Sequence, residues 1–220
     1  MPNVLAGVGS ALHRFKDFFT HEDRKLRDNR WIFISMLVGA ILSLIAAFVL
    51  SVEAIEIAKN PNATLSCSVN VVLNCATVAK HPSAELLGFP NSFFGLMAEP
   101  VVITVAIAGL AGIAFPRRFM FWAQIGYTLG FAFAIFLFFV SMFVIGALCP
   151  WCLLVTASTT FVWFSITRYN IRENNLYLPK KAQKAAQKFI EKDYDKLVLG
   201  IVIVAMIAAI LLKYGASLFA

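Results

Sequence analysis

Long apolar runs separated by short polar segments make up most of this chain. Five of these runs are long enough, at 1.5 Å per helical residue, to cross a hydrocarbon core of about 30 Å. We therefore predict membrane-spanning helices over residues 31–52, 92–115, 119–148, 149–168 and 197–219. The third and fourth runs are contiguous, with a break predicted at Cys149-Pro150. The pattern indicates an all-α membrane protein with five transmembrane helices.

The polar segments are too short for a separate soluble domain. Residues 4–19 have apolar residues at helical spacing, which predicts either an amphipathic helix on the inner membrane face or an unstructured tail with some apolar residues. Residues 179–194 are helix-forming and strongly basic, and we predict a cytoplasmic surface helix for them. The remaining polar segment, residues 52–91, contains several turn signals. The chain then divides into an N-terminal basic segment, a four-helix membrane domain, a basic loop and a final helix, over residues 1–30, 31–168, 169–196 and 197–220.

Composition supports the membrane assignment. Hydrophobic residues make up 60% of the chain and the mean hydropathy is +0.79, whereas a soluble domain is closer to half apolar. The first apolar run is preceded by 30 residues and is longer than the apolar core of a signal peptide. We expect this run to be retained as a transmembrane helix.

The basic residues are unevenly distributed. They concentrate in residues 1–30, at Arg117-Arg118 and in residues 169–196, whereas residues 52–91 contain only Lys59 and Lys80. By the positive-inside rule, the N-terminus is predicted to be cytoplasmic and residues 52–91 to lie on the outer side. These positive charges flank transmembrane helices, so the net charge of +7 is not interpreted as a nucleic-acid-binding surface.

The chain has four cysteines, and the predicted topology places all of them on the outer side of the membrane. Cys67 and Cys75 lie in the outer segment, and Cys149 and Cys152 lie at the start of the fourth apolar run. This side is the oxidising compartment in bacteria. Four cysteines on one side of five spans favour redox chemistry.

Cys149 and Cys152 have the spacing and position of a reactive pair. Pro150 suits the first position of a helix, which makes Cys149 the predicted N-cap. Free N–H groups at a helix start favour a thiolate, the nucleophile of thiol–disulfide exchange. Three other interpretations stay open: a structural disulfide, half of a four-thiolate zinc site with Cys67 and Cys75, or buried cysteines without a chemical role.

Cys67 and Cys75 enclose seven residues. They form either a structural disulfide or an exchange pair that is accessible to an outside partner and also reaches Cys149. The second arrangement would be a relay from outside thiols to the membrane. Its final acceptor must be soluble in lipid, and a quinone has that property.

Three motifs in this order resemble the vitamin K epoxide reductase (VKOR) family. They are Cys67-x7-Cys75, the sequence Asn91-Ser-Phe-Phe-Gly95 at the start of a span, and Cys149-Pro-Trp-Cys152. The resemblance covers roughly residues 31–168 and implies a four-helix transmembrane bundle around a quinone. In bacteria it implies a cytoplasmic-membrane enzyme that reoxidises a periplasmic DsbA-like protein of the thioredoxin fold. Because the chain ends at Ala220, we expect that partner to be a separate protein.

The resemblance also implies roles for individual residues. Cys152 would react with the quinone, Cys149 would exchange with the outer segment, and Cys67 and Cys75 would meet the partner. Asn91 would hydrogen-bond a quinone carbonyl, although an N-cap is its simpler role. The quinone would be menaquinone, ubiquinone or a form of vitamin K.

Two further residues are candidates. Thr156 stands where vertebrate members have a tyrosine, so it would contact the second quinone oxygen with a shorter side chain. Glu99 lies about two turns into the second span, where an ionisable group is costly and often functional. We expect it either to handle protons or to pair with a polar neighbour in the bundle.

Two other functions remain open at this stage. One is reduction of vitamin K epoxide or quinone, with electrons flowing in the opposite direction through the same cysteines. The other is a non-enzymatic membrane protein whose disulfides only hold the outer segment.

Overall fold

The computed structural model describes residues 24–218 except 64, 66 and 69. The α-helices in this part of the chain are α1 (Arg24–Lys59), α2 (Cys75–Ala79), α3 (Ser92–Leu110), α4 (Arg117–Val140), α5 (Pro150–Arg172), α6 (Lys180–Glu191) and α7 (Tyr194–Leu218). A 3-10 helix (Pro82–Glu85) precedes α3, and a π-helix (Ser141–Ile145) continues α4. The amphipathic helix predicted over residues 4–19 lies outside the described residues.

Among the described residues, five helices are long and apolar enough to cross a membrane: α1, α3, α4 with its π-helix, α5 and α7. Helix α1 packs against both α3 and α5, α4 packs against α5, and α7 joins the bundle mainly through α5. The predicted all-α membrane fold is confirmed. The surface helix predicted over residues 179–194 corresponds to α6.

The helix ends differ from those of the predicted runs, and α3 ends at Leu110 rather than at residue 115. Helix α1 continues to Lys59, so the segment that joins it to α3 begins at Asn60 rather than at Val52. Residues 53–59, EAIEIAK, are rich in good helix formers and prolong the helix past the apolar run. Helix α5 likewise continues to Arg172.

Small residues allow the helices to approach closely. A Cβ on Gly95 of α3 would lie 2.6 Å from the Cβ of Ala47 on α1. A Cβ on Gly39 of α1 would lie 2.7 Å from a methyl group of Val162 on α5. Such contacts are typical of helix packing in membranes. The core between these helices contains Phe33, Met36, Ala40, Val105, Ala106, Met120, Val162 and Ile166.

Polar contacts fasten α7 to the bundle near both ends. At one end, called here the arginine end, the Arg168 guanidinium of α5 lies 2.7 Å from Asp195 and 2.9 Å from Asp193. The same guanidinium lies 3.1 Å from Asp28 on α1. At the other end, Lys213 and Tyr214 of α7 both donate hydrogen bonds to the carbonyl oxygen of Met142 in the π-helix.

The break between the third and fourth spans lies slightly before the predicted position. The π-helix ends at Ile145 and is followed by Gly146, whose φ of 73° is the left-handed conformation that glycine adopts without strain. Residues 147–149 then lead into α5, which begins at Pro150. This short turn and residues 60–91 form the end of the bundle called here the cysteine end.

Candidate functional site

A backbone bridge joins the segment before α2 to the turn before α5. Leu73 and Leu148 form a parallel bridge, in which the Leu148 N–H donates to Val72 O (2.7 Å) and the Asn74 N–H donates to Leu148 O (3.0 Å). The Asn74 side chain then caps α2 by accepting from the Thr77 N–H. The bridge places Cys75, the first residue of α2, beside Cys149, the residue before α5.

Three of the four cysteine sulfurs meet at this point. Cys67 and Cys75 form a disulfide, whereas Cys149 and Cys152 are free thiols. The Sγ atoms of Cys75 and Cys149 are 3.2 Å apart. The sulfurs of Cys67, Cys75 and Cys149 all lie within 4.8 Å of one another. A thiolate at Cys149 is therefore within contact distance of the disulfide that it would attack.

Cys149 is the N-cap of α5, as the sequence predicted. Its Sγ accepts a hydrogen bond from the Cys152 N–H at 3.4 Å, and Pro150 occupies the first helical position. The hydrogen bond from the Cys152 thiol lowers the pKa of Cys149, and the backbone N–H groups of Cys152 and Trp151 lower it further. Burial and the charge of Glu53 act in the opposite direction but do not cancel these hydrogen bonds. This environment favours a thiolate at Cys149.

A mostly apolar cavity of about 590 Å³ lies between α1, α3, α4 and α5. It begins at Cys149 and Cys152 and extends toward the arginine end as far as Met36 and Ile166. Its volume is in the range of pockets that hold small molecules. The cavity therefore brings an apolar binding volume directly to the free thiols.

Asn91 lines the cavity near the start of α3. It stands at the N-cap position but makes no capping hydrogen bond, so the simpler role considered from sequence is wrong. Its Nδ2 donates to the Ser83 carbonyl oxygen at 2.6 Å. Its Oδ1 is buried and has no hydrogen-bond partner among the described residues. An unpaired buried amide oxygen is costly, and a hydroxyl group in the cavity would satisfy it.

Thr156 also lines the cavity, one turn along α5 from Cys152. Its hydroxyl donates to the Cys152 carbonyl oxygen at 2.9 Å, within the helix. In this rotamer the hydroxyl proton is already used, so Thr156 offers the cavity an acceptor rather than a donor.

The sequence comparison agrees with this arrangement of cysteines and helices. The model of the Vitamin K epoxide reductase family matches residues 34–167, more than half of the chain. The chain belongs to the vitamin K epoxide reductase family. No curated protein matches it. The matched region runs from α1 to α5, which places the four-helix bundle and its cysteine end within the family domain.

Family membership gives the chain a general activity. VKOR proteins are membrane thiol oxidoreductases that use quinone-type substrates, and this chain is accordingly a multi-pass membrane oxidoreductase. The non-enzymatic function left open from sequence is thereby set aside. The structural disulfide considered for Cys149 and Cys152 is not formed in this state, because both are thiols. Nor is the alternative zinc site formed, since zinc binds thiolates and Cys67 and Cys75 are joined to each other.

The loop disulfide of this VKOR protein is less accessible than the sequence suggested. Cys67 is 7% exposed and Cys75 is 1% exposed. The side chains of Leu50, Ile57 and Trp151 pack around the cluster. The expectation of an accessible pair is wrong for this conformation, because the bridge to Leu148 holds the loop against the bundle.

Glu99 is buried within the bundle and lines the cavity. Its Oε1 accepts hydrogen bonds from Ser43 of α1 (2.9 Å) and Tyr127 of α4 (3.3 Å). Its Oε2 is buried and has no hydrogen-bond partner among the described residues. Glu99 therefore does pair with polar neighbours, and one of its oxygens is still left for the cavity.

Sequence reasoning missed two contributors to the site. Tyr127 was hidden because a single tyrosine in an apolar run gives no signal of its own. Glu53 lies on α1 with its Oε1 3.4 Å from the Cys67 sulfur, a contact between distant parts of the chain. A signal was present for Glu53: it is an acidic residue beside an apolar run, on the same predicted side as the cysteines.

Proposed function

We propose that this protein is a quinone-dependent thiol oxidoreductase that makes disulfides in an outside partner. Electrons pass from partner thiols to Cys67 and Cys75, then to Cys149 and Cys152, and finally to a quinone. The partner is a separate DsbA-like protein of the thioredoxin fold. The observation that carries the proposal is the 3.2 Å separation of the Cys75 and Cys149 sulfurs, beside a cavity lined by Cys152.

The pairs are arranged for transfer in sequence. Cys75 contacts Cys149, and Cys149 in turn interacts with Cys152. Exchange between the pairs therefore needs only short movements of side chains. A mixed disulfide between Cys75 and Cys149 is the intermediate that this geometry supports.

The cavity fits a quinone. It is apolar along most of its length and carries the polar groups Asn91, Glu99 and Thr156, together with the thiol of Cys152. A quinone supplies an acceptor of two electrons and two protons. Oxidation of Cys149 and Cys152 to a disulfide releases the same number of each, so the overall reaction is balanced without an external proton.

We assign different roles in binding the quinone and handling its protons to the polar residues of the cavity. Asn91 orients a ring substituent through its amide, and its unpartnered Oδ1 favours the hydroxyl form of that substituent. Thr156 contributes a hydrogen-bond acceptor one helical turn after Cys152 on α5. Glu99 lies eight residues after Asn91, about 12 Å farther along α3, and its free Oε2 holds or passes a proton at the deeper part of the cavity.

The charge distribution supports the cellular arrangement. The basic segments flank α1, the α3–α4 turn and the α5–α7 connection, and by the positive-inside rule this pattern supports a cysteine end on the outer side of a bacterial cytoplasmic membrane. The N-terminus is then cytoplasmic. Thiol oxidation at the cysteine end takes place in the compartment where secreted proteins acquire disulfides.

A trapping experiment tests the partner and the order of the relay. A DsbA-like protein that retains only the first cysteine of its pair is mixed with the purified, oxidised protein. We expect a mixed disulfide with Cys67 or Cys75 that persists when Cys149 and Cys152 are changed to alanine and disappears when Cys67 and Cys75 are changed. Adducts on Cys149 instead, or none at all, would contradict the proposed order.

A further inference from the structure

Glu53 sits against the reacting sulfur of Cys67. Its two carboxylate oxygens lie 3.4 and 3.5 Å from the Cys67 Sγ. The glutamate is 6% exposed, and Leu50 and Ile57 of the same helix pack against the cysteine cluster. A disulfide sulfur carries no hydrogen, so the contact becomes a hydrogen bond only when Cys67 is a thiol. The carboxyl group is therefore placed for the reduced state of Cys67.

We propose that Glu53 is a catalytic residue that takes the proton from the Cys67 thiol when Cys67 closes the loop disulfide. The inference rests on the proposed relay and names a group that the relay needs. Water cannot easily serve as the base, because the sulfurs of Cys67, Cys75 and Cys149 are buried. A fixed carboxylate within contact distance replaces it.

The step is balanced as follows. It starts from the mixed disulfide between Cys75 and Cys149, with Cys67 as a thiol. Cys67 attacks the sulfur of Cys75, the Cys67–Cys75 bond forms, and the Cys75–Cys149 bond breaks. The proton of Cys67 moves to Glu53, and Cys149 leaves with the electron pair as a thiolate. In the reverse direction, Glu53 returns the proton to Cys67 as it leaves.

The structure shows the product side of this step. The Cys67–Cys75 disulfide is closed, Glu53 still contacts Cys67, and the Cys149 sulfur is still 3.2 Å from Cys75. Hydrogen bonds from Cys152 and from the backbone at Trp151 stabilise the leaving thiolate. Glu53, the proton acceptor, and Cys149, the leaving group, therefore both lie next to the Cys67–Cys75 bond.

The charge of Glu53 has a second effect that makes the role testable. It opposes thiolate formation at Cys149, and its field also reaches Cys152. If the charge were all that mattered, its removal would make Cys149 a better leaving group and accelerate the exchange. If Glu53 is the base, its removal slows the exchange.

The experiment follows the internal exchange without quinone. In the full-length protein carrying Cys152→Ala, one disulfide exchanges between Cys67–Cys75 and Cys75–Cys149. A pH jump starts the exchange, acid stops it, and alkylation with mass spectrometry identifies the free cysteine. Adding Glu53→Gln should slow the exchange about 10²-fold near neutral pH. The difference should shrink as pH rises, since hydroxide then removes the proton from Cys67.

Two further variants control the interpretation. Glu56→Gln, at an exposed position on the same helix, should exchange at the unmodified rate. Glu53→Asp keeps a carboxylate and should exchange faster than Glu53→Gln. The inference is overturned if Glu53→Gln exchanges at an equal or higher rate, or more slowly by the same factor at every pH.

The outcome is separable from that of the proposed function. If the unmodified protein reduces no quinone but its exchange depends on Glu53 as described, the relay to quinone fails and the role of Glu53 stands. If it reduces quinone while Glu53→Gln exchanges normally, only the role of Glu53 fails.

Discussion

Cys149 connects the two halves of the site. It caps α5, its sulfur contacts the loop disulfide, and a hydrogen bond from the Cys152 thiol lowers its pKa. These roles depend on one another, because the hydrogen bonds that cap the helix also stabilise the thiolate. Helix start and nucleophile are therefore a single structural feature.

The pKa of Cys149 should depend on Cys152. The hydrogen bond from the Cys152 thiol is the largest cause of the lowered Cys149 pKa, so Cys152→Ala should raise that pKa. The ultraviolet absorbance of the thiolate, followed against pH in the loop-oxidised protein, measures the change. A Cys152→Ala titration that is not displaced to higher pH would show that the backbone at the start of α5 is sufficient.

Glu99→Gln tests the proton role proposed for the cavity. The amide keeps the size of the side chain but cannot carry the proton, so quinone reduction should fall by about 10²-fold with a changed pH profile. The rate is measured with a soluble quinone and a thiol donor. A variant with the parent rate and pH profile but a lower melting temperature would restrict Glu99 to joining α1, α3 and α4.

At the residue scale, the sequence predicted the local role of individual residues better than the contacts between residues that are far apart in the chain. The Cys-Pro-Trp-Cys motif alone indicated the N-cap, because proline and the neighbouring cysteine act within one turn of helix. The contact between Glu53 and Cys67 links α1 to the segment that follows it, and that between Glu99 and Tyr127 links α3 to α4. No local pattern encodes them, since they depend on how the helices pack.

At the scale of elements, close helix crossings set the shape of the cavity. Gly95 lets α3 approach α1 at Ala47, just past Asn91 at the start of α3. An additional methyl group at this position would push the two helices apart. The position of Asn91 at the cavity therefore depends on Gly95, although Gly95 has no side chain that could contact a ligand.

Gly95→Ala should destabilise the protein, although alanine is the better helix former. The added Cβ would lie 2.6 Å from Ala47, and overpacking of this kind costs about 1–3 kcal/mol. Gly200→Ala on α7 has no atom within 4 Å of the added Cβ and should be neutral or stabilising. Thermal unfolding in detergent compares the two, and equal shifts would contradict the close crossing.

The contacts of Arg168 show how α7 is held. Helix α7 is largely exposed along its length, and the polar groups near its ends add to the apolar contacts that Met206, Ala209 and Ile210 make with the cluster around Phe138 and Met142. Arg168→Leu would remove the cation that Asp195 contacts at 2.7 Å and one of the two cations that Asp28 and Asp193 each contact. We expect a loss of about 3 kcal/mol, whereas Lys196→Met, which breaks an exposed pair, should cost less than about 1 kcal/mol. Chemical unfolding in detergent measures the free energy of unfolding of both variants. Similar losses of free energy would argue against Arg168 as the residue that holds α7 to the bundle.

Helix ends were the part of the elements that the sequence predicted least well. The apolar runs located five spans because membrane thickness sets a minimum length. They did not locate the end of α1 at Lys59, because a helix continues for as long as its residues favour it. The π-helix and the Leu73–Leu148 bridge were also not predicted, since both arise from contacts at the cysteine end.

The whole molecule combines a buried thiol cluster with a cavity inside a membrane bundle. The bridge at Leu148 closes the loop over the bundle, which protects the disulfide and keeps Cys75 against Cys149. In the proposed function, we therefore expect a partner to displace part of the loop before it reaches Cys67. The same arrangement is compatible with both directions of electron flow, so we expect the potentials of the proposed partner and quinone to decide the direction.

The most direct measurement asks whether the purified protein transfers electrons from a reduced DsbA-like protein to a soluble quinone. Our account predicts one quinone reduced for each disulfide formed in the donor, with no quinone reduction by Cys149→Ala or Cys152→Ala protein that is still folded and inserted. Net flow from hydroquinone to the disulfide of the DsbA-like protein, or quinone reduction that persists without Cys152, would contradict it.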